Sequence, residues 1–103
     1  SATAPALRAA LRAGVDSAPA EFFLAASLLM SGDPEEAETG FARVIALGDT
    51  PYRPEAHFYR AKALLRLGRV ADALADLRSA AALQGVIGTH AHALADSVQR
   101  VAR

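Results

Sequence analysis

Residues 54–83 read PEAHFYRAKALLRLGRVADALADLRSAAAL, and this stretch decides the fold. Two amphipathic helical patterns meet in it at a single glycine, Gly68. Small residues recur where two helices would approach closely, and large apolar residues recur between them. The small set is Ala61, Ala73 and Ala80, and the large set is Leu64, Leu67, Leu74, Leu77 and Leu83. The spacing predicts two antiparallel helices joined by a very short turn.

The same pattern occurs a second time upstream. A shift of 36 residues, the separation of Gly32 and Gly68, superposes the two copies. The matching apolar positions are Phe22 with Phe58, Ala25 with Ala61, Leu28 with Leu64, Leu29 with Leu65, Ala37 with Ala73 and Leu47 with Leu83. A period between about 20 and 50 residues is typical of a solenoid, in which each unit buries its apolar face against its neighbour.

These residues resemble the tetratricopeptide repeat, a helix–turn–helix unit of about 34 residues. The resemblance covers roughly residues 18–102 and departs from the family at three positions. Glu21 and His57 stand where the family has Trp, and Arg60 stands where it usually has Leu. The residues that carry the resemblance are Leu24, Ala25, Leu28, Gly32, Ala37 and Phe41 in the first copy, and Ala61, Leu64, Gly68, Ala73, Leu77 and Ala80 in the second.

The predicted fold is all-α, a helical-repeat solenoid of about six helices in one domain spanning residues 1–103. Repeat 1 covers residues 18–48 and repeat 2 covers residues 49–84. A capping helix is expected at each end, over residues 4–17 and 88–103. Since about three repeats are needed for stability, the two capping helices would supply the missing contacts.

Turn residues predict the helix boundaries. Gly32 suits the left-handed end of one helix, and Asp33 suits the N-cap of the next, with Pro34 in its first turn. Thr50 and Pro51 are expected to begin the fourth helix. Residues 84–88 are expected to form a loop, followed by a last helix that Thr89 caps. The apolar stripe of that last helix is Ala91, Leu94, Ala95, Val98 and Val101.

Composition narrows the class of function. Hydrophobic residues make up 52 % of the chain and aromatic residues 6 %, which favours closely packed helices. The formal net charge is zero, so a nucleic-acid partner is not expected. The absence of cysteine removes disulfides and thiolate chemistry. No apolar run approaches the roughly 18 residues of a membrane span, so membrane insertion is not expected, and nothing identifies the compartment.

No group of residues predicts catalysis, a metal site or a cofactor. His90 and His92 would lie about 200° apart around a helix, so they cannot chelate together. Glu35 and Glu36 are better explained as complementing a helix N-terminus than as paired catalytic carboxylates. The glycine-containing segment at residues 85–88 lacks the Gly-Lys-Ser/Thr ending of a phosphate loop. We therefore predict a protein that is not an enzyme and that needs no cofactor.

A set of side chains on the two first helices lies off the core stripes. In the resembled family such a set lines the concave groove that receives peptides. The resemblance thus implies ten partner-binding residues: Phe22, Phe23, Ala26, Leu29 and Met30 on the first repeat, and Phe58, Tyr59, Lys62, Leu65 and Arg66 on the second. Lys62 and Arg66 would favour an acidic ligand. The family's carboxylate clamp needs paired Asn and basic residues, and this chain has no Asn. A ligand held by its C-terminal carboxylate in that way is therefore not expected.

The alternative interpretation makes this set part of the core, buried by the capping helices. For Phe22 and Leu29 both interpretations stay open, whereas for Tyr59, Lys62 and Arg66 we prefer the groove. The predicted function is protein–protein interaction, with a peptide or partner segment on the concave face. The alternative function is structural, either as a homodimer or as a domain docked on another part of a larger protein.

Two charges stand at positions that the repeat pattern makes apolar. Arg60 lies on the fourth predicted helix, and Glu38 takes the place that Leu74 has in the second copy. In the resembled architecture the second helix of one repeat packs against the first helix of the next, so both charges would meet at one seam. Because an unpaired buried charge is costly, we expect the two to pair. The alternative is that each side chain reaches solvent separately.

Overall fold

Five α-helices follow one another in the computed structural model, which describes residues 17–83 and 85–102. They are α1 (Ser17–Met30), α2 (Pro34–Ala46), α3 (Arg53–Arg66), α4 (Val70–Ala82) and α5 (Val86–Ala102). These ranges contain no strand, so the all-α prediction is confirmed. The capping helix expected at residues 4–17 falls almost wholly outside the described residues, and its prediction stands as made.

Each helix packs against the helix that follows it in the chain. In addition α1 touches α3 and α3 touches α5, whereas α2 and α4 make no contact within the described ranges. The first helices of the hairpins therefore lie side by side on one face, with the second helices behind them. This is the packing order of a helical solenoid, in which contacts run only between near neighbours.

The turns of the two hairpins are built alike. Gly32 and Gly68 have φ values of +86° and +77°, in the left-handed region that glycine adopts without steric cost. Beyond each glycine, the next backbone N–H reaches back to the last helical turn. Asp33 N donates to the carbonyl of Leu28 at 2.9 Å, and Arg69 N donates to the carbonyl of Leu64 at 2.9 Å. The 36-residue repeat in the sequence is thus also a repeat in backbone geometry.

Paired helices approach closely at alanine and glycine. In the first hairpin, a Cβ atom added to Gly40 would lie 2.8 Å from the Cβ of Ala25. In the second hairpin, the predicted small residues Ala61, Ala73 and Ala80 are fully buried, as are Leu64 and Leu77. Leu67 does not join them: it is exposed, because it follows the last residue of α3 and lies at the end of the hairpin.

Two helix starts differ from the prediction. The fourth helix of the sequence pattern, α3, begins at Arg53 rather than at Thr50. Thr50 instead forms a turn, in which its hydroxyl oxygen accepts a hydrogen bond from Tyr52 N at 3.3 Å and its carbonyl oxygen accepts one from Arg53 N at 3.1 Å. The side chain of Thr50 therefore stabilises the loop before the helix.

The last helix, α5, begins at Val86, so the predicted loop at residues 84–88 is partly helical and Thr89 is not its N-cap. Gly85, with φ +116°, makes the turn. Gly88 lies in the first turn of α5, where an added Cβ would collide with the carbonyl oxygen of Leu83. Its role is to let the start of α5 lie directly against the end of α4.

A charged network joins three helices behind the first-helix face. Arg60 on α3 donates from Nε to Oε1 of Glu38 on α2 at 3.0 Å, which confirms the predicted pairing. Its Nη1 also lies 3.5 Å from Oδ1 of Asp76 on α4, and Nδ1 of His57 lies 2.8 Å from the same oxygen. Asp76 is only 5 % exposed. One guanidinium thus connects the second helices of both repeats through α3.

Asp76 and His57 were not predicted as members of this network. The 36-residue shift aligns Asp76 with Gly40, a point where α1 and α2 approach closely. A carboxylate at a position of close approach is the signal that could have found it, because a buried charge needs a partner. The partners of Asp76 are His57 and the same arginine that pairs with Glu38.

Replacing Ala73 by Leu is expected to destabilise the domain by about 1–3 kcal/mol, because its site is fully buried and filled. Ala75 on the same helix is exposed, so Ala75→Leu serves as the matched control and should change stability by less than about 0.5 kcal/mol. Urea unfolding of both variants measures the difference. Equal midpoints would show that the close-contact assignment is wrong.

Glu38→Ala is expected to cost about 1–2 kcal/mol, because Arg60 then keeps only its longer contact with Asp76. A double-mutant cycle of Glu38 and Arg60 with alanine should give a coupling free energy of at least about 0.5 kcal/mol. Replacing both by leucine should still be destabilising, since it leaves Asp76 buried without its guanidinium.

The exposed pair of Arg69 and Asp72, 2.8 Å apart, is the control for this cycle. Both of its side chains are more than half exposed, so solvent screening should hold its coupling below about 0.5 kcal/mol. A Glu38–Arg60 coupling no larger than that of the control would contradict a structural role for the buried pair.

Candidate protein-binding surface

An apolar groove of about 310 Å³ lies between α1 and α3. Its lining residues are Phe22, Phe23, Ala26, Leu29 and Met30 from α1 and Tyr59 from α3. All six belong to the partner-binding set predicted from the sequence, and we call this feature the α1–α3 groove. It exists because the side-by-side first helices leave a furrow that no second helix covers.

The α1 wall combines buried and exposed side chains. Phe22 and Leu29 are 7 % and 6 % exposed, so they form a floor that also belongs to the hydrophobic core. Phe23 and Met30 are 49 % and 86 % exposed and form the rim. The two interpretations left open for Phe22 and Leu29 are therefore compatible, because the same side chains pack in the core and face the groove.

Aromatic rings fix the shape of the floor. The ring of Phe22 lies 5.7 Å from that of Phe41 and 6.1 Å from that of Tyr59, in both cases edge to face. Tyr59 packs against both hydrophobic clusters of the domain, one centred on Phe41 and the other on Leu64. Contacts of this geometry stabilise the rings beyond the area they bury, so the groove is formed before any ligand arrives.

Tyr52 supports the groove although sequence reasoning did not include it. Its ring lies 5.2 Å from that of Phe22 and 5.9 Å from that of Phe23. Tyr52 precedes α3 in a loop that has no aromatic counterpart in the first copy, so the repeat pattern gives no sign of it. Because Tyr52 contacts both phenylalanines, the half-exposed Phe23 is held at the rim.

The rest of the predicted set lies beyond the α1–α3 groove. Phe58 is buried, and Lys62 is exposed with its Nζ 4.8 Å from the centroid of the Phe58 ring and 5.3 Å from that of Tyr59. Arg66 donates from Nη1 to the carbonyl oxygen of Leu29 at 2.7 Å. Its guanidinium therefore binds the end of α1 and serves to join the two first helices.

Leu65 lines a different feature, an apolar crevice of about 310 Å³. The other residues of this crevice are Val70, Ser97, Val98 and Val101. It lies where the turn between α3 and α4 meets the last turns of α5. Val101 was predicted on the packed stripe of the last helix, but it is 87 % exposed at the C-terminal end of α5.

The sequence model of the tetratricopeptide repeat matches residues 3–54 and 27–86 of this chain. The chain belongs to the tetratricopeptide repeat family. No curated protein and no solved structure gives a significant match. Tetratricopeptide repeats are non-catalytic units that mediate protein–protein interaction.

Membership of the family agrees with the arrangement of the described helices. Two tetratricopeptide hairpins, α1–α2 and α3–α4, are followed by α5, which packs on α4 as the first helix of a further unit would. Within residues 17–83 and 85–102, no cluster of His, Asp and Glu is placed to hold a metal ion. None of the helices described there is long and apolar enough to cross a membrane.

Tyr59→Ala is expected to destabilise this tetratricopeptide domain by about 2–4 kcal/mol, because the ring joins both hydrophobic clusters. Phe23→Ala removes a ring that is half exposed, so it should cost about 1 kcal/mol or less. Thermal unfolding followed by circular dichroism compares the two. Equal losses would mean that Tyr59 is a rim residue like Phe23.

Proposed function

We propose that this domain binds an apolar segment of a partner protein in the α1–α3 groove. The observation that carries the proposal is the exposure of Phe23 and Met30 at the rim of a groove lined only by apolar and aromatic side chains. Large apolar residues grouped around one concave feature mark interaction sites on soluble proteins.

Preorganisation supports this choice of surface. The floor residues Phe22 and Leu29 are held by core packing, and their positions do not depend on a ligand. Binding therefore orders few protein side chains, so more of the free energy of apolar burial becomes affinity. Aromatic side chains in such settings are frequent anchors of protein interfaces.

Self-association is the second candidate function, and it rests on the crevice at the end of α5. Val101 is as exposed there as Met30 is at the groove, and Leu65, Val70 and Val98 lie beside it. An apolar surface of this kind could pair with a second copy or with a neighbouring domain. The two candidates use different residues, which makes them separable.

Peptides selected from a random phage library against the domain provide the test. Met30→Asp is expected to weaken their binding about tenfold or more, measured by fluorescence anisotropy, because a charge would enter the apolar rim. Val101→Asp is the matched control, since the two side chains are 86 % and 87 % exposed, and it should leave peptide affinity unchanged.

The opposite outcome would favour self-association. Light scattering after size exclusion measures whether the domain is a dimer. Peptide binding insensitive to Met30→Asp, together with a dimer that Val101→Asp dissociates, would replace peptide capture by self-association through the crevice.

A further inference from the structure

We propose that the segment bound in the α1–α3 groove carries an Asp or Glu side chain two to four residues from its apolar anchor, and that Lys62 selects it. This inference rests on the function proposed above, because Lys62 lies next to Tyr59, the α3 residue that lines the same groove. Two observations support it. The first is the position of the Lys62 ammonium group. The second is that the neighbouring cations Arg60 and Arg66 already bind other groups of the protein.

The Lys62 ammonium is held against aromatic rings. Its Nζ lies 4.8 Å from the centroid of Phe58 and 5.3 Å from that of Tyr59. Attraction between a cation and the faces of two rings restrains a side chain that would otherwise sample many rotamers in water. Since Tyr59 lines the groove, the charge stays at its edge.

Two other cations of α3, Arg60 and Arg66, are already engaged by the protein. Arg66 donates to the carbonyl oxygen of Leu29, and Arg60 pairs with Glu38 and Asp76 behind the first-helix face. Lys62 forms no ion pair with any carboxylate of residues 17–83 and 85–102. The sequence predicted that Lys62 and Arg66 together favour an acidic ligand. Because Arg66 is bound to α1, we assign this preference to Lys62.

The uncharged lining of the groove strengthens the preference for an acidic ligand. None of its six lining residues is charged, so they offer no ionic partner to a charged ligand group. Lys62 is exposed and has three N–H donors, so it can bind a carboxylate without first breaking an ion pair. Charge complementarity therefore favours an acidic side chain over a basic one.

The distance from Lys62 to the Tyr59 ring sets the spacing between the acidic residue and the apolar anchor of the ligand. A carboxylate oxygen pairs with an ammonium at about 2.8 Å, so it lies within roughly 8 Å of the Tyr59 ring centroid. For an anchor packed on the Tyr59 ring, that span is about two residues of an extended segment, at about 3.3 Å each. On a helical ligand, side chains three or four positions apart are about 5–6 Å apart at Cβ. Both conformations place the acid two to four residues from the anchor.

A random dodecapeptide library displayed on phage, panned against the full chain and its variants, tests the proposal. The parent protein is expected to enrich Asp or Glu at that spacing from a Leu, Met or aromatic residue. Lys62→Met should keep the apolar anchor and lose the acidic preference. Lys62→Glu should enrich Lys or Arg instead. Arg78→Glu, the same charge change at an exposed site on α4, is the control and should select as the parent does.

Affinities of one enriched peptide make the test quantitative. Replacing its acidic residue by the corresponding amide should weaken binding to the parent about two- to fivefold, as for an exposed ion pair, and should not alter binding to Lys62→Met. Amidating the C-terminus should leave affinity unchanged, because the proposal assigns the contact to a side-chain carboxylate.

Failure of this inference can be told from failure of the proposed function. Peptides that depend on Met30 but show no acidic preference, or none that Lys62→Glu reverses, would overturn the role of Lys62 alone. Peptides that are indifferent to Met30→Asp would overturn groove binding itself, and the role of Lys62 with it.

Discussion

Close approach of paired helices is the constraint on which the rest of this structure depends. At the crossing of α1 and α2, the Cβ of Ala25 faces Gly40 with no room for another methyl group. Such crossings bring the backbones together, and the aromatic and leucine side chains then fill the spaces on either side. The α1–α3 groove is a consequence of this order of packing. The second helices lie behind the first, so neither α2 nor α4 covers the furrow between α1 and α3.

At Asp76 a charge enters this packing together with groups that can neutralise it. Asp76 occupies in the second hairpin the position that Gly40 holds in the first, and it is tolerated because Arg60 and His57 reach its Oδ1. The arginine in turn requires Glu38 on the other side of α3. A buried network of this kind does not by itself imply added stability, since desolvation opposes attraction. It does require that α2, α3 and α4 keep one relative position.

Prediction from the sequence succeeded where a residue's role follows from its own chain neighbours. Gly32 and Gly68 each stand between two helical patterns, where the neighbouring residues mark a helix end, so the two hairpins could be predicted. The start of α5 could not, because the role of Gly88 depends on where the carbonyl of Leu83 lies in space. The same holds for Arg66, whose partner is 37 residues away in the chain. The groove residues of α1 were predictable as a face of one helix, but Tyr52 has no counterpart in the repeat.

Tyr59 packs against both hydrophobic clusters, and this affects how the domain unfolds. In an array of repeats, stability is approximately the sum of each unit and its interface with the next, so single units can fray from the ends. Here one aromatic ring belongs to the cores of both hairpins, and Arg66 ties the same helix to the end of α1. Opening either hairpin exposes part of the other. The two repeats should therefore unfold cooperatively as one unit, with no stable half-folded state between them.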